Sequence, residues 1–388
     1  MILFFIPSML QNLPIIGVLP TIIGGLLILT NVLILINKIT VKSFILLFYL
    51  GILLITTILN SGNISLNIKD IIYFINFVLL SLVVTDKKFV LDLKNILLEK
   101  INYIKINIIC GNIILLIALF SQNAYYYEWG ENTLYFSGFT YMPHVVASLC
   151  MLLLMFILFY IYYGNKGKGK KSAYIYMILP VYCILKTGAR AYIIPLIIIL
   201  VLILIKELGN FRTLITIIVL SPIVVKIFLK TSMFQKFITL LEFDSSFSLI
   251  YKLTSGRSEM WNALIYHYVN KYNFLEKILG TSFDEVYKIN YMYTGMKVWA
   301  HNDIINVLIT TGVVGVLIYL ISFYNFYKIS NYIRVKIIVK IGYIISFVFL
   351  ALMNGVYVQI SIVFCLTIYW IIFQDYRIGE MHIEKKIS

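Results

Sequence analysis

Side chains that could handle a phosphate group are scarce in this sequence, and three of them stand at informative places. The 388 residues include five arginines and four histidines. Arg190 and His301 each precede an apolar segment, and Arg257 lies in a polar stretch. A guanidinium binds phosphate oxygens in a bidentate manner and stays charged when partly buried, whereas an imidazole accepts a proton near neutral pH. These residues predict an anion site with a general base. Helix-end packing or ion pairing is the alternative for each.

His301 is the strongest candidate for proton transfer because it stands just before the predicted outer end of a membrane helix. The free amide groups of a helix N-terminus favour anionic groups beside them. Helix capping or interfacial packing is the alternative for this histidine. His144 also lies at a predicted helix start, and His267 lies on an amphipathic stretch. Packing is the simpler interpretation of both, and only His144 is included among the predicted substrate-binding residues.

The sequence contains none of the common metal-binding or nucleotide-binding motifs. It has no CxxC, no HExxH, no P-loop and no GxGxxG. The acidic residues outside the predicted membrane segments show no spacing that singles out a catalytic pair. We therefore expect no metal and no cofactor, and we do not expect nucleotide-driven pumping.

The composition indicates a polytopic membrane protein. Apolar residues make up 61% of the chain and charged residues 13%, with a mean hydropathy of +0.94. Soluble proteins are about 45–50% apolar and about 25% charged, so a soluble enzyme, a fibrous protein and a disordered tail are excluded. The net charge of +15 comes mostly from short loops between apolar segments, where it sets membrane orientation. We therefore expect no nucleic-acid partner.

Apolar segments long enough to cross a membrane recur along the whole chain. We expect an all-α protein with about eleven (10–12) membrane helices, near 13–36, 43–60, 70–85, 103–121, 142–163, 173–188, 190–206, 212–230, 303–326, 335–354 and 356–374. The first segment is broken by prolines and could include a half-helix, a re-entrant turn or one of two closely spaced spans. The predicted organisation is an N-terminal bundle of about eight helices over 1–230, a large extracytoplasmic loop over 231–302, and C-terminal helices with a cytoplasmic tail over 303–388.

Lysines and arginines in the short loops predict the orientation of these helices. They occur in alternate connections, which can all lie in the cytoplasm, and the intervening loop 122–141 has neither residue type. By this alternation, the segment 231–302 lies outside. Loops of this length are usually either functional or disordered. Met260, Trp261 and Leu264 recur there at helical spacing, so we expect one or two interfacial helices.

Three stretches around this loop together resemble the O-antigen polymerase and ligase superfamily. The first, LKTGARAYIIPLIIIL, has Arg190 in a small-residue turn that opens a helix. The second, SGRSEMWNALIYHYVNKYNFLEKILGTSFDEV, has Arg257 and Trp261 in a Gly-Arg…Trp helix followed by a Leu-Gly turn. The third, AHNDIINVLITTGVVGVLIYL, has His301 in a His-Asn helix start followed by Gly-x-x-Gly. The resemblance covers about residues 179–325.

The resemblance implies a GT-C-like fold and the transfer of an oligosaccharide from a polyprenyl diphosphate carrier onto a sugar hydroxyl. The reaction would take place at the outer face of a bacterial cytoplasmic (inner) membrane. Arg190 and Arg257 would stabilise the leaving diphosphate, and His301 would be the general base. The predicted substrate-binding residues are Gly256, Trp261, Asn302, Asp303 and His144. The expected partners are an undecaprenyl-diphosphate-linked oligosaccharide, membrane lipid, and a chain-length regulator and flippase of the same pathway.

We expect a Wzy-type polysaccharide polymerase for O-antigen or capsule assembly, and two other functions stay open. A ligase of the same superfamily would transfer finished glycan to another acceptor, and the motifs do not separate it from a polymerase. We favour the polymerase because ligases mainly serve outer-membrane glycolipids, of which the sequence carries no sign. A flippase or transporter would show internal repeats or midplane polar residues. We find no repeats, and no intramembrane acid that could partner Lys226.

Overall fold

The computed structural model describes residues 2–12, 19–36, 41–60, 64–127, 134–164, 171–231, 233–235, 238 and 249–374. Most of these residues are helical, which confirms the all-α class predicted from the composition. The predicted cytoplasmic tail after residue 374, and parts of several predicted loops, lie outside the described residues.

The N-terminal part of the described chain is a bundle built around one deeply buried helix. Its helices are α1 (Ile2–Met9), α2 (Leu19–Ile36), α3 (Val41–Asn60), α4 (Ile64–Val83), α5 (Lys87–Glu99), α6 (Ile101–Leu119), α7 (Pro143–Tyr163), α8 (Ile178–Lys186), α9 (Ile193–Leu208) and α10 (Asn210–Phe228). Helix α7 is apolar on all sides and almost completely buried, as expected for the centre of a bundle. Helix α10 is also apolar but nearly all of its side chains are exposed, so it lies at the periphery.

The described part of the predicted extracytoplasmic loop folds into four short helices rather than the one or two expected. They are α11 (Leu249–Thr254), α12 (Arg257–Asn270), α13 (Phe274–Leu279) and α14 (Glu285–Thr294). Helix α13 begins with a capping box, in which Asn273 and Glu276 each accept the backbone N–H of the other. Leu264, Val286 and Ile309 share a small apolar core. This segment is therefore folded, and we call its helices α11 to α14, with the connections between them, the loop layer.

Three helices complete the described chain: α15 (Asp303–Tyr332), α16 (Ile337–Met353) and α17 (Ile360–Ile372). All residues of α17 are buried, and this helix packs beside α7 in the centre of the bundle, where the hydroxyls of Ser361 and Ser148 lie 2.7 Å apart. Helix α15 runs from the loop layer into the bundle, so it joins the two parts. Its first residue follows the predicted site residues His301 and Asn302 directly.

Helix α15 is broken at Gly312, where φ is 66° and ψ is −170°. Gly280, which follows α13, has nearly the same conformation, with φ 76° and ψ −169°. A Cβ on Gly312 would lie 2.3 Å from the carbonyl oxygen of Ile278, and a Cβ on Gly280 would lie 2.3 Å from that of Thr310. The loop layer and α15 therefore meet backbone to backbone, which only glycine permits.

Several helices have the length and composition of membrane spans. Within the described residues these are Ile101–Leu119, Pro143–Tyr163, Arg190–Leu208, Asn210–Phe228 and Asp303–Tyr332. A sixth would be the pair Ile68–Val83 and Lys87–Glu99, which is bent by 105°. The apolar helices at the other predicted segments are shorter. These helices indicate a multi-pass membrane protein, while the number of about eleven spans and the GT-C-like architecture stay predictions.

Two local features differ from what the sequence predicts. The connection 122–141 contains a small antiparallel ladder in which β1 (Tyr125–Tyr127) pairs with β2 (Leu134–Phe136). Asp70, the first residue of the predicted segment 70–85, lies inside the apolar helix α4 and is only 9% exposed. The predicted segment begins at residue 70, whereas α4 begins at Ile64, which places this carboxylate well inside the helix.

Candidate functional site

Two histidines and two arginines singled out in the sequence lie together at one end of the bundle. His144 is in the first turn of α7 and His301 directly precedes α15, and their ring centroids are 6.0 Å apart. Arg190 begins the short 3-10 helix before α9, and Arg257 is the first residue of α12. Both arginines are close enough for their charges to act on His144. The structure thus brings together side chains from four separate segments.

Each guanidinium contacts a different part of the chain. Arg190 donates a hydrogen bond to the hydroxyl of Ser255, in the loop layer. Arg257 donates a hydrogen bond to the main-chain carbonyl of Met353, the last residue of α16. The site is therefore assembled from the membrane bundle, the loop layer and the C-terminal helices together.

The backbone takes uncommon conformations at this site. Ser255 and His301, with φ of 55° and 53°, are the two non-glycine residues with positive φ in the described part of the chain. Gly256 follows Ser255 with φ 77°, and Arg257 then begins α12. Non-glycine residues in this region are uncommon and tend to cluster at functional sites. Both residues lie in the arginine and histidine cluster, so backbone conformation points to the same place in the molecule as the residue types do.

The electrostatic character of the site is strongly positive. Burial, together with the nearby charge of Arg190, lowers the pKa of Arg257 to about 10, so this guanidinium keeps its charge at neutral pH. Among the described residues, no carboxylate forms an ion pair with Arg257. The N-terminal ends of α7, α12 and α15 lie here as well, and each adds a partial positive charge. This arrangement suits an anion with several charged oxygens.

Three of the predicted substrate-binding residues stabilise the backbone around the site. The indole Nε1 of Trp261 donates to the carbonyl of Ala300 at 2.7 Å, directly before His301. Asn302 caps α15, because its side-chain oxygen accepts the backbone N–H of Ile305 at 3.1 Å. Gly256 supplies the left-handed turn that leads into α12. Their contacts hold the arginine and histidine segments in place.

The fourth, Asp303, is fully buried. Its Oδ2 accepts three hydrogen bonds, from the Tyr319 hydroxyl at 2.7 Å and from the backbone N–H groups of Val356 and Tyr357 at 2.7 and 3.3 Å. A carboxylate engaged in this way contacts the protein itself.

The structure adds participants that the sequence analysis did not single out. Ser255 holds Arg190, and the ring of Trp299 lies with its centroid 4.7 Å from that of His301. A turn over residues 353–359, between α16 and α17, contacts both arginine segments and the segment that carries His301. Its Asn-Gly dipeptide is a recognisable turn signal, yet nothing in the sequence indicates which residues the turn would contact.

The described residues contain no group of three or more His, Cys, Asp or Glu side chains that could hold a metal ion. No protein-family model matches the chain, and no curated protein or solved structure gives a match. Function is therefore inferred from the geometry of the site and the motifs that form it.

Proposed function

We propose that this protein is a polysaccharide polymerase that transfers lipid-diphosphate-linked oligosaccharide units onto a sugar hydroxyl at the outer face of a bacterial cytoplasmic membrane. The observation that carries the proposal is the meeting of Arg190, Arg257, His144 and His301 at one end of an apolar helical bundle. A positive cluster beside membrane helices is suited to a substrate with an anionic head and a lipid tail. The resemblance of the three motif stretches to O-antigen polymerases supports the same chemistry.

The reaction would exchange one bond at the sugar for another. The acceptor hydroxyl oxygen forms a bond to the anomeric carbon, and the bond from that carbon to the diphosphate oxygen breaks. The lipid diphosphate leaves with the bonding electrons, and the hydroxyl proton passes to His301 as general base. Negative charge grows on the diphosphate in the transition state, where Arg190 and Arg257 would stabilise it electrostatically. Undecaprenyl diphosphate is the carrier we propose.

The first experiment replaces the proposed general base and one of the two proposed diphosphate-binding arginines in the native host. We expect His301→Ala to lower the rate of polymer formation by about 10²–10⁴-fold and Arg257→Ala to lower it by about 10²–10³-fold. Single repeat units on the lipid carrier should accumulate in both strains, because units are supplied but not joined. Lipid-linked glycans are sized on gels, and the amount of folded, inserted protein is measured in the same membranes.

Matched controls come from the same chain. His267 lies on α12 in the same loop layer, where burial lowers its pKa from the usual value, and its ring contacts Tyr272 and Tyr293. Arg334 is an exposed arginine between α15 and α16. His267→Ala and Arg334→Ala should keep the wild-type ladder. Full polymer output from inserted His301→Ala and Arg257→Ala variants would disprove the proposed function.

Deletion of the gene separates the proposal from its two alternatives. Single repeat units without a ladder indicate a polymerase, and a full ladder retained on the lipid carrier indicates a ligase. Single units trapped on the cytoplasmic side indicate a flippase. Either of the last two results contradicts the polymerase.

A further inference from the structure

The turn over residues 353–359 contacts three of the four segments that carry the candidate site, those of Arg190, Arg257 and His301. Arg257 donates to the carbonyl of Met353, at the start of the turn. Tyr192, two residues after Arg190, donates its hydroxyl proton to Gln359 at 2.7 Å and accepts from the side-chain amide of Asn354 at 3.2 Å. Tyr192 is completely buried, so these contacts are shielded from water and are worth more than surface hydrogen bonds.

The histidine segment contacts the middle of the same turn. Gly355 has φ 95°, and a Cβ there would lie 2.5 Å from the Trp299 ring and 2.6 Å from Oδ1 of Asp303. The turn therefore packs against Trp299 and Asp303, which lie two residues before and two residues after His301. No larger side chain would permit this approach.

Asp303 fixes the conformation of this turn. Its Oδ2 accepts the consecutive backbone N–H groups of Val356 and Tyr357 and also the hydroxyl of Tyr319. All three hydrogen bonds are made inside the protein, where shielding from water strengthens them. Tyr319, the side-chain donor to Asp303, is buried within α15 and is not a member of the cluster of arginines and histidines.

We propose that Asp303 is a positioning residue for Arg257, and that it acts through the 353–359 turn. The carboxylate holds the turn by two backbone N–H groups, and the turn presents the Met353 carbonyl that orients the guanidinium. Asp303 is completely buried and its Oδ2 accepts three hydrogen bonds from the protein, so we assign it to the support of Arg257 rather than to contact with substrate. The inference rests on the proposed function, because it assumes that Arg257 binds the lipid diphosphate.

The test measures binding of farnesyl diphosphate to the purified full-length protein in lipid nanodiscs. The variants are Asp303→Asn, Tyr319→Phe, Arg257→Lys and the double variant Asp303→Asn/Arg257→Lys. Tyr319→Phe is the milder change, since it removes one donor to Asp303 and leaves the turn and the cluster intact. The matched control is Tyr369→Phe, which also loses one buried tyrosine hydrogen bond, to the carbonyl of Val339 at 2.9 Å. Each titration yields both the Kd and the number of binding sites.

We expect Asp303→Asn to raise the Kd about tenfold and Tyr319→Phe about threefold, on the scale of one weakened hydrogen bond. The number of sites should stay unchanged, because a purely structural defect lowers that number and leaves the Kd of the folded fraction alone. In the double variant, Asp303→Asn should add little to Arg257→Lys. Independent, multiplying effects in the double variant would overturn the proposal, as would a Tyr319→Phe protein that binds like Tyr369→Phe.

Failure of the proposed function is a separate outcome. It would show as wild-type protein that binds farnesyl diphosphate no better than farnesol. In that case the turn is tested by thermal unfolding of the wild-type protein, Asp303→Asn, Arg257→Lys and the double variant. A non-additive loss of stability between Asp303→Asn and Arg257→Lys would support the link through the turn, and additive losses would overturn it.

Discussion

Ser255 and His301 show how the candidate site depends on backbone conformations that most residues avoid. Their φ angles are 55° and 53°, and such conformations cost about 1–3 kcal/mol each. The Ser255 hydroxyl accepts the hydrogen bond from Arg190, and the His301 ring lies between those of Trp299 and His144. A glycine would adopt either backbone conformation without strain, but it has no side chain for these contacts.

Substitution of Ser255 separates the strain from the hydrogen bond. Ser255→Gly and Ser255→Ala both remove the hydroxyl that Arg190 contacts, but only glycine adopts the positive φ freely. We expect Ser255→Gly to be more stable than Ser255→Ala by about 1 kcal/mol, measured by thermal unfolding in detergent. Polymer formation should fall in both variants. Equal stability of the two would mean that Ser255 is not strained.

The residue types at the site could be predicted from the sequence better than their contacts. Arg190, Arg257 and His301 were identifiable because few arginines and histidines occur and each lies in one of the three motif stretches. The contact between Arg190 and Ser255 could not be predicted, since a serine next to a glycine does not indicate a partner 65 residues away. The clustering of these three residues in space depends on tertiary packing, which residue type does not encode.

The break in α15 lets the end of α13 pack directly against the backbone of α15. Gly280 has φ 76° and ψ −169°, and Gly312 has φ 66° and ψ −170°. This region is essentially restricted to glycine. The end of α13 lies against this break, so the backbone of the loop layer contacts the backbone of α15, the helix that follows His301.

We predict that Gly312→Ala destabilises the protein by about 3 kcal/mol or more, because the strained φ and the collision add together. A Cβ there would lie 2.3 Å from a backbone oxygen of Ile278, which cannot move without displacing α13. Gly295→Ala is the control: Gly295 also has positive φ, 71°, but nothing lies within 4 Å of its Cβ position. That variant should lose only about 1 kcal/mol. Equal losses in thermal unfolding would mean that the close approach contributes nothing.

At the level of elements, the sequence predicts helices well and their interruptions poorly. The apolar pattern places α7, α9 and α10 within a few residues of their observed bounds. The same pattern runs through Gly312 without change, because glycine in an apolar run is also typical of a continuous membrane helix. The functional contacts of the 353–359 turn were unpredictable for another reason. Asp303 binds its backbone N–H groups, which every residue except proline possesses.

In the whole molecule, the loop layer is fastened to the membrane bundle by buried polar contacts as well as by packing. Asp70 of α4 accepts a hydrogen bond from the hydroxyl of Tyr287 in α14 at 3.0 Å. Asp70 is only 9% exposed, so loss of its donor would leave a buried carboxylate poorly satisfied. Phe74, one turn further along α4, packs against Phe283 of the loop layer with ring centroids 6.0 Å apart. Both contacts fix the layer that carries Arg257 relative to the bundle that carries Arg190.

We predict that Tyr287→Phe loosens the loop layer without unfolding the bundle. The lost hydrogen bond to Asp70 should cost about 1–3 kcal/mol, and α14 should then exchange its backbone hydrogens faster than in the wild-type protein, while α7 should be unaffected. Tyr293→Phe is the matched control, because its hydroxyl lies 3.5 Å from His267 at an exposed position and contributes little. Hydrogen exchange followed by mass spectrometry compares the two variants in nanodiscs. If Tyr287→Phe exchanged like Tyr293→Phe, packing such as that of Phe74 against Phe283 would suffice to hold the layer, and Asp70 would have no part in fixing the distance between the two arginines.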